Sequence, residues 1–481
     1  MNQKLVIHIL HLYTASLLSI SYVNAQDHYT APNIVLILAD DMGYGDPECY
    51  NRESQIRTPH INQLASEGML FTDAHTTSSV CTPTRYGIIT GRYSWRGPLK
   101  KGVTWSYDSL IIEKNRETIA TLLKDNGYYT ACIGKWHLGL GWQMTGDSVL
   151  FEKALTAAPT DLGFDYFYGI AASLDIPPYV FIENNCVVQQ PAGFSVGPSK
   201  TISDDFWRKG PVSPDFDHYQ TLNHLTSKAT DLIEKQSEFD KPFFLYFALT
   251  APHLPWIPTA KFRGQSGAGA YGDISLEVDE VVGRILEAIK RSGADENTLI
   301  IFTSDNGSQF SSANMEKFHH NANFNWRGRK GDIYEGGHRV PFIVKWPGKV
   351  EKGEVSEQLI STTDFLATFA EIVNAKLDQP NDSKSFLPVL SNQKSDNELR
   401  KSMIYHSAHG LFGYRNGPWV YIDGKGSGGF LEVPDTTSVN EKVQLYHLYD
   451  DPEQKENIST NEPEKVEVLK NQLNEKKKNE E

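Results

Sequence analysis

The chain has 481 residues, 22% of them charged, with 60 acidic against 46 basic side chains and a net charge of −14. That length suits one large core with a smaller attached unit, and the acidic balance argues against broad nucleic-acid binding. An anionic substrate is compatible with it, because a local basic pocket can sit in an acidic protein.

In chain order, the first residues read as a targeting segment. Lys4 supplies the positive start, residues 5–20 are mostly apolar, and Val23-Asn24-Ala25 fits a small-residue cleavage site. A membrane anchor is the competing reading, but the apolar run is short and broken by His8, His11 and Ser16. Cleavage after Ala25 is expected, with export to the periplasm or beyond and no later membrane span. Residues 33–39 are rich in Val, Ile and Leu and read as a buried strand. Helices are expected at 61–68 and 118–127, each stopped by a glycine, then a strand at 130–134. A helix at 219–235, a strand at 242–249, a helix at 274–293, strands at 298–303 and 341–346, and a helix at 363–375 follow. This alternation implies an α/β fold: a large mixed, mostly parallel sheet sandwiched by helices. Residues 378–396 are polar and rich in Pro, Asn and Ser, as in a linker or long loop. Short strand patterns at 402–406, 414–422 and 445–448 suggest a small C-terminal antiparallel sheet, closed by a charged helix at 464–479. The expected organisation is a signal peptide over 1–25, a catalytic unit over 26–376 and a C-terminal subdomain over 377–481.

Reactive residues cluster where expected strands end. Residues 33–39 run into Asp40-Asp41, and 130–134 into Lys135-Trp136-His137. Residues 242–249 run toward Ala251-Pro252-His253, and 298–303 into Ser304-Asp305-Asn306. In open α/β sheets ligands bind outside the carboxyl ends of the strands, so four such ends together point to one site. Asp40, Asp41, Asp305 and Asn306 offer only oxygen donors. Adjacent carboxylates repel unless a cation sits between them, and hard oxygens suit calcium or magnesium at about 2.0–2.6 Å. A solvated turn before Gly43 is the plainer reading of Asp40-Asp41 taken alone. No H-E-x-x-H helix, P-loop or C-x-x-C pair occurs. Of the four cysteines, Cys49, Cys81, Cys132 and Cys186, Cys132 reads as a buried core thiol.

Cys81-Thr82-Pro83-Thr84-Arg85 resembles the C-x-P-x-R motif of formylglycine-dependent sulfatases, members of the alkaline-phosphatase-like superfamily. The likeness continues into Gly87 and Thr90-Gly91-Arg92, and other blocks agree in order and spacing. These are residues 33–46, Gly134-Lys135-Trp136-His137-Leu138-Gly139, Ala251-Pro252-His253 and Ser304-Asp305-Asn306-Gly307. Lys330-Gly331, Tyr334-Glu335-Gly336-Gly337 and residues 448–453 with Asn457 complete the set, so the resemblance spans roughly residues 30 to 460.

The resemblance implies that a maturing, formylglycine-generating enzyme reads Pro83 and Arg85 and oxidises Cys81 to formylglycine. If so, Cys81 takes no part in a disulfide. Hydrated formylglycine presents two hydroxyls: one attacks the sulfur of a sulfate monoester, and the other then expels sulfate and restores the aldehyde. By the same resemblance, Asp40, Asp41, Asp305, Asn306 and the modified Cys81 hold one calcium ion. Arg85 steadies the formylglycine and the carboxylates, and Lys135 and Lys330 contact sulfate oxygens as point charges. His253 is the general acid toward the leaving oxygen, since a histidine can be protonated near neutral pH. His137 hydrogen-bonds the formylglycine hydroxyl and assists elimination. Ser173 matches a family position on the sulfate side of the pocket.

Trp105, His218, Trp256, His319, His320, Asn325, Trp326 and Arg327 fall in loops where a specificity wall would form. Arg327, Arg329 and Arg339 are candidates for bidentate recognition of a uronate carboxylate. With the leader, these residues lead to an expected sulfated oligosaccharide or polysaccharide substrate, such as the algal polymer ulvan, and to no nucleic-acid partner. The alternatives are a phosphodiesterase or phosphonate hydrolase on the same scaffold, an arylsulfatase for small aryl esters, and a non-catalytic glycan-binding module. Retention of Cys81, Lys135 and His253 argues against the last.

Overall fold

Seven strands carry most of the large sheet in the computed structural model: β1 (Asn33–Asp40), β2 (Met69–Phe71), β3 (Tyr129–Lys135), β4 (Tyr166–Ile170), β5 (Phe243–Pro252), β6 (Thr298–Ser304) and β7 (Phe342–Lys345). The structure describes residues 31–199, 201, 203–391, 399–430 and 442–478. The expected leader and its cleavage point after Ala25 lie outside the described residues. The sheet has ten strands, in the order Glu354–Ser356, β2, β7, β6, β1, β5, β3, β4, Ile182–Glu183 and Cys186–Val187. Neighbours from β6 through β1, β5 and β3 to β4 are all parallel, and β7 runs antiparallel to β6 and β2. The sheet is therefore mixed and mostly parallel.

The continuous apolar runs follow from burial on both faces. Residues 34–39 of β1 are fully buried. Val35, Ile37 and Ala39 pack in one cluster with residues of α1 (Pro59–Ser66), α4 (Thr221–Gln236) and α5 (Gly269–Arg291). The opposite face meets α2 (Cys81–Thr90), α3 (Ile119–Asp125) and α6 (Phe365–Ile372), with Phe244 of β5 5.8 Å from Phe369 of α6. Apart from α2, which the sequence pattern did not announce, these helices occupy the expected segments with ends shifted by a few residues, the usual imprecision of frayed termini. At Gly134 an added Cβ would lie 1.8 Å from the Ala248 carbonyl oxygen, and φ is +113°. Only glycine lets β3 lie this close to β5 directly before Lys135.

The C-terminal sheet is antiparallel, in the order β8 (Ser402–His406), β9 (Phe412–Asn416), β10 (Trp419–Ile422) and β11 (Gln444–His447). Helix α7 (Pro463–Lys478) lays Leu469 and Leu473 against Tyr414, Tyr421 and Leu445. The run 414–422, expected as one strand, is a hairpin. Asn416 pairs with Trp419 across Gly417-Pro418, and Gly417 has φ +58°. The apolar alternation continues across this two-residue turn, and glycine at the first central position supplies the reversal. The described part of 378–396 is packed rather than free: it holds the short helix Leu387–Leu390, and Asp382 bonds to Arg96 at 3.0 Å and to the Tyr93 N–H at 2.9 Å. Residues 392–398 of that stretch lie outside the described residues. Pro32–Glu481 form a single compact unit. Among the described residues no helix is long and apolar enough to cross a membrane.

Candidate active site and metal centre

The register of the parallel strands brings their carboxyl ends level. Ala39 pairs with Ser304, Asp40 with Pro252, and Ala248 with Gly134. Asp40, Lys135, His253 and Asp305 thus leave neighbouring strands at the same edge. Ser304 shapes two of these turns, its hydroxyl accepting from the Met42 N–H at 2.9 Å and donating to the Asn306 carbonyl at 3.0 Å. Asp41 and His137 hold left-handed backbone, with φ +72° and +57°. Such conformations cost roughly 1–3 kcal/mol and gather at functional sites, where the surroundings impose them.

All four expected oxygen donors are buried, and Asp41, Asp305 and Asn306 are bonded to one another. The Asp41 N–H donates to Asp305 Oδ1 at 3.1 Å, and Asn306 Nδ2 donates to Asp41 Oδ1 at 2.7 Å. Asn306 Oδ1 is buried with no protein partner. Lys135 Nζ lies 2.7 and 2.8 Å from the two oxygens of Asp40, and Lys330 Nζ 2.8 Å from Asp41 Oδ2. Arg85 donates through Nε and Nη2 to Asp305 Oδ2 at 3.0 and 2.7 Å, and through Nη1 to the Lys135 carbonyl at 3.0 Å. His253 Nε2 is 3.8 Å from Asp41 Oδ2.

The electrostatics follow from this crowding. Burial alone would raise Asp40, but the Lys135, His253 and Arg85 charges hold it well below the usual carboxylate range. Burial pushes Asp305 up to about 6; Arg85 pulls it down, and the charges of Asp40 and Asp41 add to the rise. Burial would lower Lys330, but the Asp41 carboxylate raises it above the ordinary lysine value. Three buried carboxylates and an amide oxygen without a protein partner form a hard-oxygen set, which fits a divalent cation such as calcium. The described residues offer one other possible ligand group, His75, Glu335 and His338. There the one carboxylate, Glu335, is matched by a guanidinium instead, Arg339 Nε at 2.8 Å, and neighbouring Asp73 is held by Arg415 Nη1 at 2.6 Å.

Cys81 opens α2 and is 2% exposed, preceded by extended Val80. Burial pushes its thiol up, against the pull of Lys135 and Lys330. An unmodified thiol here is a poor nucleophile, because the thiolate is the reactive form. Behind it, His137 Nε2 lies 2.8 Å from the Thr104 carbonyl, which can only accept. That fixes the proton on Nε2 and leaves Nδ1, buried and without a protein partner, as the basic atom. Burial and the Lys135 charge keep the ring well below its ordinary pKa, hence neutral. His253 Nδ1 lies 2.8 Å from the Leu254 carbonyl and so carries a proton, which turns Nε2 toward the carboxylates. Ser173 is buried in the turn after β4, three residues beyond Ile170.

The expected wall is only partly a wall. Trp105 is 50% exposed and stacks with Arg208, whose guanidinium is 5.2 Å from its ring. His319 and Asn325 are exposed. His218 is buried 4.1 Å from Trp207, Trp256 is buried with Nε1 on the Pro252 carbonyl, and His320 is buried with Nε2 2.8 Å from Asp46. Aromatic and histidine side chains supplied core here, which loop position did not reveal. Arg327 binds the Gln454 carbonyl at 2.7 Å, and Arg339 is buried on Asp73 and Glu335, so neither is free to meet a uronate. Thr104, Asp175 and Arg208 were missed. Asp175 Oδ1 is buried without a hydrogen bond, 3.8 Å from His253 Nδ1, and Arg208 pairs with Asp175 Oδ2. Asp175 sits within the stretch around Ser173; nothing in the sequence marked Arg208.

A family model described as Sulfatase matches residues 32–375. An N-acetylgalactosamine-6-O-sulfatase of Bacteroides thetaiotaomicron is 33% identical over 477 residues, covering 91% of this chain and 91% of its own. Human arylsulfatase A is 32% identical over 457 residues, covering 89% of this chain and 83% of its own. A solved sulfatase structure, from the metabolism of multiple glycosaminoglycans by Bacteroides thetaiotaomicron, superposes with a TM-score of 0.82 at 31% identity, over 94% of this chain and 100% of that one. Fold and site together define a hydrolase of the alkaline-phosphatase-like superfamily. The chain belongs to the sulfatase family and is a sulfuric ester hydrolase.

Proposed function

We propose that the protein removes sulfate from a sulfated sugar, with formylglycine made from Cys81 as nucleophile and one calcium ion beside it. The observation that carries the reading is the meeting of Cys81, at the start of a buried helix, with Lys135 and Lys330 on the carboxylate cluster. Asp40, Asp41, Asp305 and Asn306 would hold the ion, with the modified Cys81. When bound, the ion would supply Lewis acidity toward a sulfate oxygen. The formylglycine hydrate supplies an attacking hydroxyl and, through its second hydroxyl, the means of releasing sulfate.

The chain's own side chains do the rest. Lys135 and Lys330 present ammonium groups where charge gathers on the sulfate oxygens, and their anchoring on Asp40 and Asp41 sets their positions in advance. Arg85 ties Asp305 to the Lys135 backbone and holds the α2 end against β3. His137 receives a proton at Nδ1 from the formylglycine hydroxyl, since its Nε2–H is already committed. His253 gives a proton from Nε2 to the departing sugar oxygen while its Nδ1–H stays on Leu254. Ser173 contacts the sulfate side of the pocket. A maturing enzyme acting before folding is required, because Cys81 is buried in the folded chain.

The names of the relatives support a hexosamine sulfate of glycosaminoglycan type as substrate over the algal polymer, and the leader expected from the sequence fits an extracellular glycan. The competing phosphoryl-transfer reading is tested by comparing rates on an aryl sulfate and the matching aryl phosphate. The sulfate should be turned over at least about a hundredfold faster, a difference of about 2.7 kcal/mol in barrier. A clear preference for phosphate would overturn the reading.

A further inference from the structure

A groove of about 610 Å³, lined by none of the site residues, lies between the chain after α2, the small sheet and the end of α7. Lys100, Lys101, Lys477 and Lys478 line it with His409 and the rings of Trp95 and Phe412. Among the described residues no Asp or Glu lines it. In a chain of net charge −14 this is a local reversal of sign. Arg96 also lines the groove, but its charge is matched by Asp382 at 2.9 Å. Among the described residues the four lysines carry no such match: Lys100 Nζ donates to the Trp95 carbonyl at 2.6 Å, and Lys477 Nζ sits 3.8 Å above the Phe412 ring. Neither contact neutralises charge, and both hold the ammonium groups beside apolar surface.

The groove is built onto the active-site wall. Two of its three lining segments join at Gly102, whose N–H donates to the Ala408 carbonyl at 2.9 Å. The Ala408 N–H in turn donates to the carbonyl of Gly331, next to Lys330, at 2.9 Å. Two residues past Gly102, the Thr104 carbonyl holds His137 Nε2. Lys101 is therefore three residues, at most about 10 Å of extended chain, from a residue touching the catalytic histidine.

We infer that this groove binds the continuing part of a sulfated glycan chain while one of its sugars occupies the active site. The inference rests on the substrate reading above. A chain carrying repeated sulfates matches a row of ammonium groups, and its sugar faces match the Trp95 and Phe412 rings. The remaining acidic surface repels such a polymer, which confines it to this path.

The test uses full-length chondroitin 6-sulfate and the Cys81→Ala protein, which binds without turnover. Replacing Lys100, Lys101, Lys477 and Lys478 together by Gln should weaken its affinity for the polymer by about tenfold or more at moderate salt, by the loss of phosphate-like ion contacts. In the same quadruple variant with Cys81 intact, kcat/KM on a small aryl sulfate should stay within about twofold of the parent, as expected when the active site is undisturbed. If it does not, the paired variants Lys100→Gln/Lys101→Gln and Lys477→Gln/Lys478→Gln carry the comparison. Equal polymer affinity with and without the lysines overturns the inference. Failure of the parent enzyme to release sulfate from chondroitin oligosaccharides, with binding still lost in the variant, overturns the substrate reading and leaves the groove's role standing.

Discussion

Lys135 and Lys330 are each buried against one carboxylate of the site, so removing either has two separable effects. On the proposed reading, truncation withdraws a charge from the sulfate; it also leaves Asp40 or Asp41 without its lysine partner. Lys135→Ala and Lys330→Ala should each lower kcat/KM on an aryl sulfate by roughly 10²–10³, the usual cost of one preorganised charge-stabilising donor. Melting temperatures should fall as well, because an uncompensated buried charge costs about 3–5 kcal/mol. Loss of stability with activity retained would mean the lysines serve only the fold. At this scale the sequence was informative. Asp40, Asp41, Lys135, His137, His253, Asp305 and Asn306 stand at the ends of apolar runs, and burial at a sheet edge makes such polar residues conspicuous. Thr104 acts through its backbone carbonyl, and Arg208 reaches its place from a loop distant in sequence. Neither leaves a pattern in composition or spacing.

Among the elements, β3 and β5 meet most tightly at Gly134. Gly134→Ala would force a Cβ onto the Ala248 carbonyl at 1.8 Å and penalise φ +113°. The cost should exceed about 4 kcal/mol, so soluble yield and melting temperature should collapse, with activity lost alongside. An alanine variant of normal stability would contradict the strand pairing. A second prediction concerns the start of α1. Asp279 accepts from the His60 and Ile61 N–H groups at 3.0 and 2.8 Å, yet burial raises it from 3.8 to about 6. A carboxyl raised in the folded state binds its proton more tightly there than when unfolded. Its stabilising contribution is therefore full below about pH 4 and is lost as pH rises through 6. The stability of the parent minus that of Asp279→Asn should fall across that window, by at most about 3 kcal/mol. Urea unfolding at pH 4 and 7 measures it; a difference independent of pH would contradict the burial. The central strands were legible because burial on both faces demands unbroken apolar sequence. Three-residue β2 was not, since it is too short to show a period. The 414–422 hairpin was misread because a two-residue turn barely interrupts the alternation.

For the whole molecule, the proposed cation, held by carboxylates at the ends of β1 and β6, would tie the sheet's centre together. Ligand that binds only the folded chain stabilises by mass action, about 2.7 kcal/mol at a hundred times its dissociation constant. Calcium added to chelator-treated protein should raise the melting temperature and restore activity, and Asp305→Ala should abolish both responses. No calcium effect on either would reject the proposed ion. The α/β class, the mostly parallel sheet and the C-terminal antiparallel sheet were readable from the sequence, because the alternation of elements dictates the layers. The groove was hidden, since Lys100 and Lys477 are brought together only by the packing of α7 on the small sheet. Yet the central claim concerns one side chain. The most direct measurement is the mass of the proteolytic peptide containing Cys81, taken from active enzyme made in a host able to modify such cysteines. The expected result is an aldehyde in place of the thiol, in a fraction of molecules that tracks specific activity. Fully active enzyme carrying only the intact thiol would contradict it.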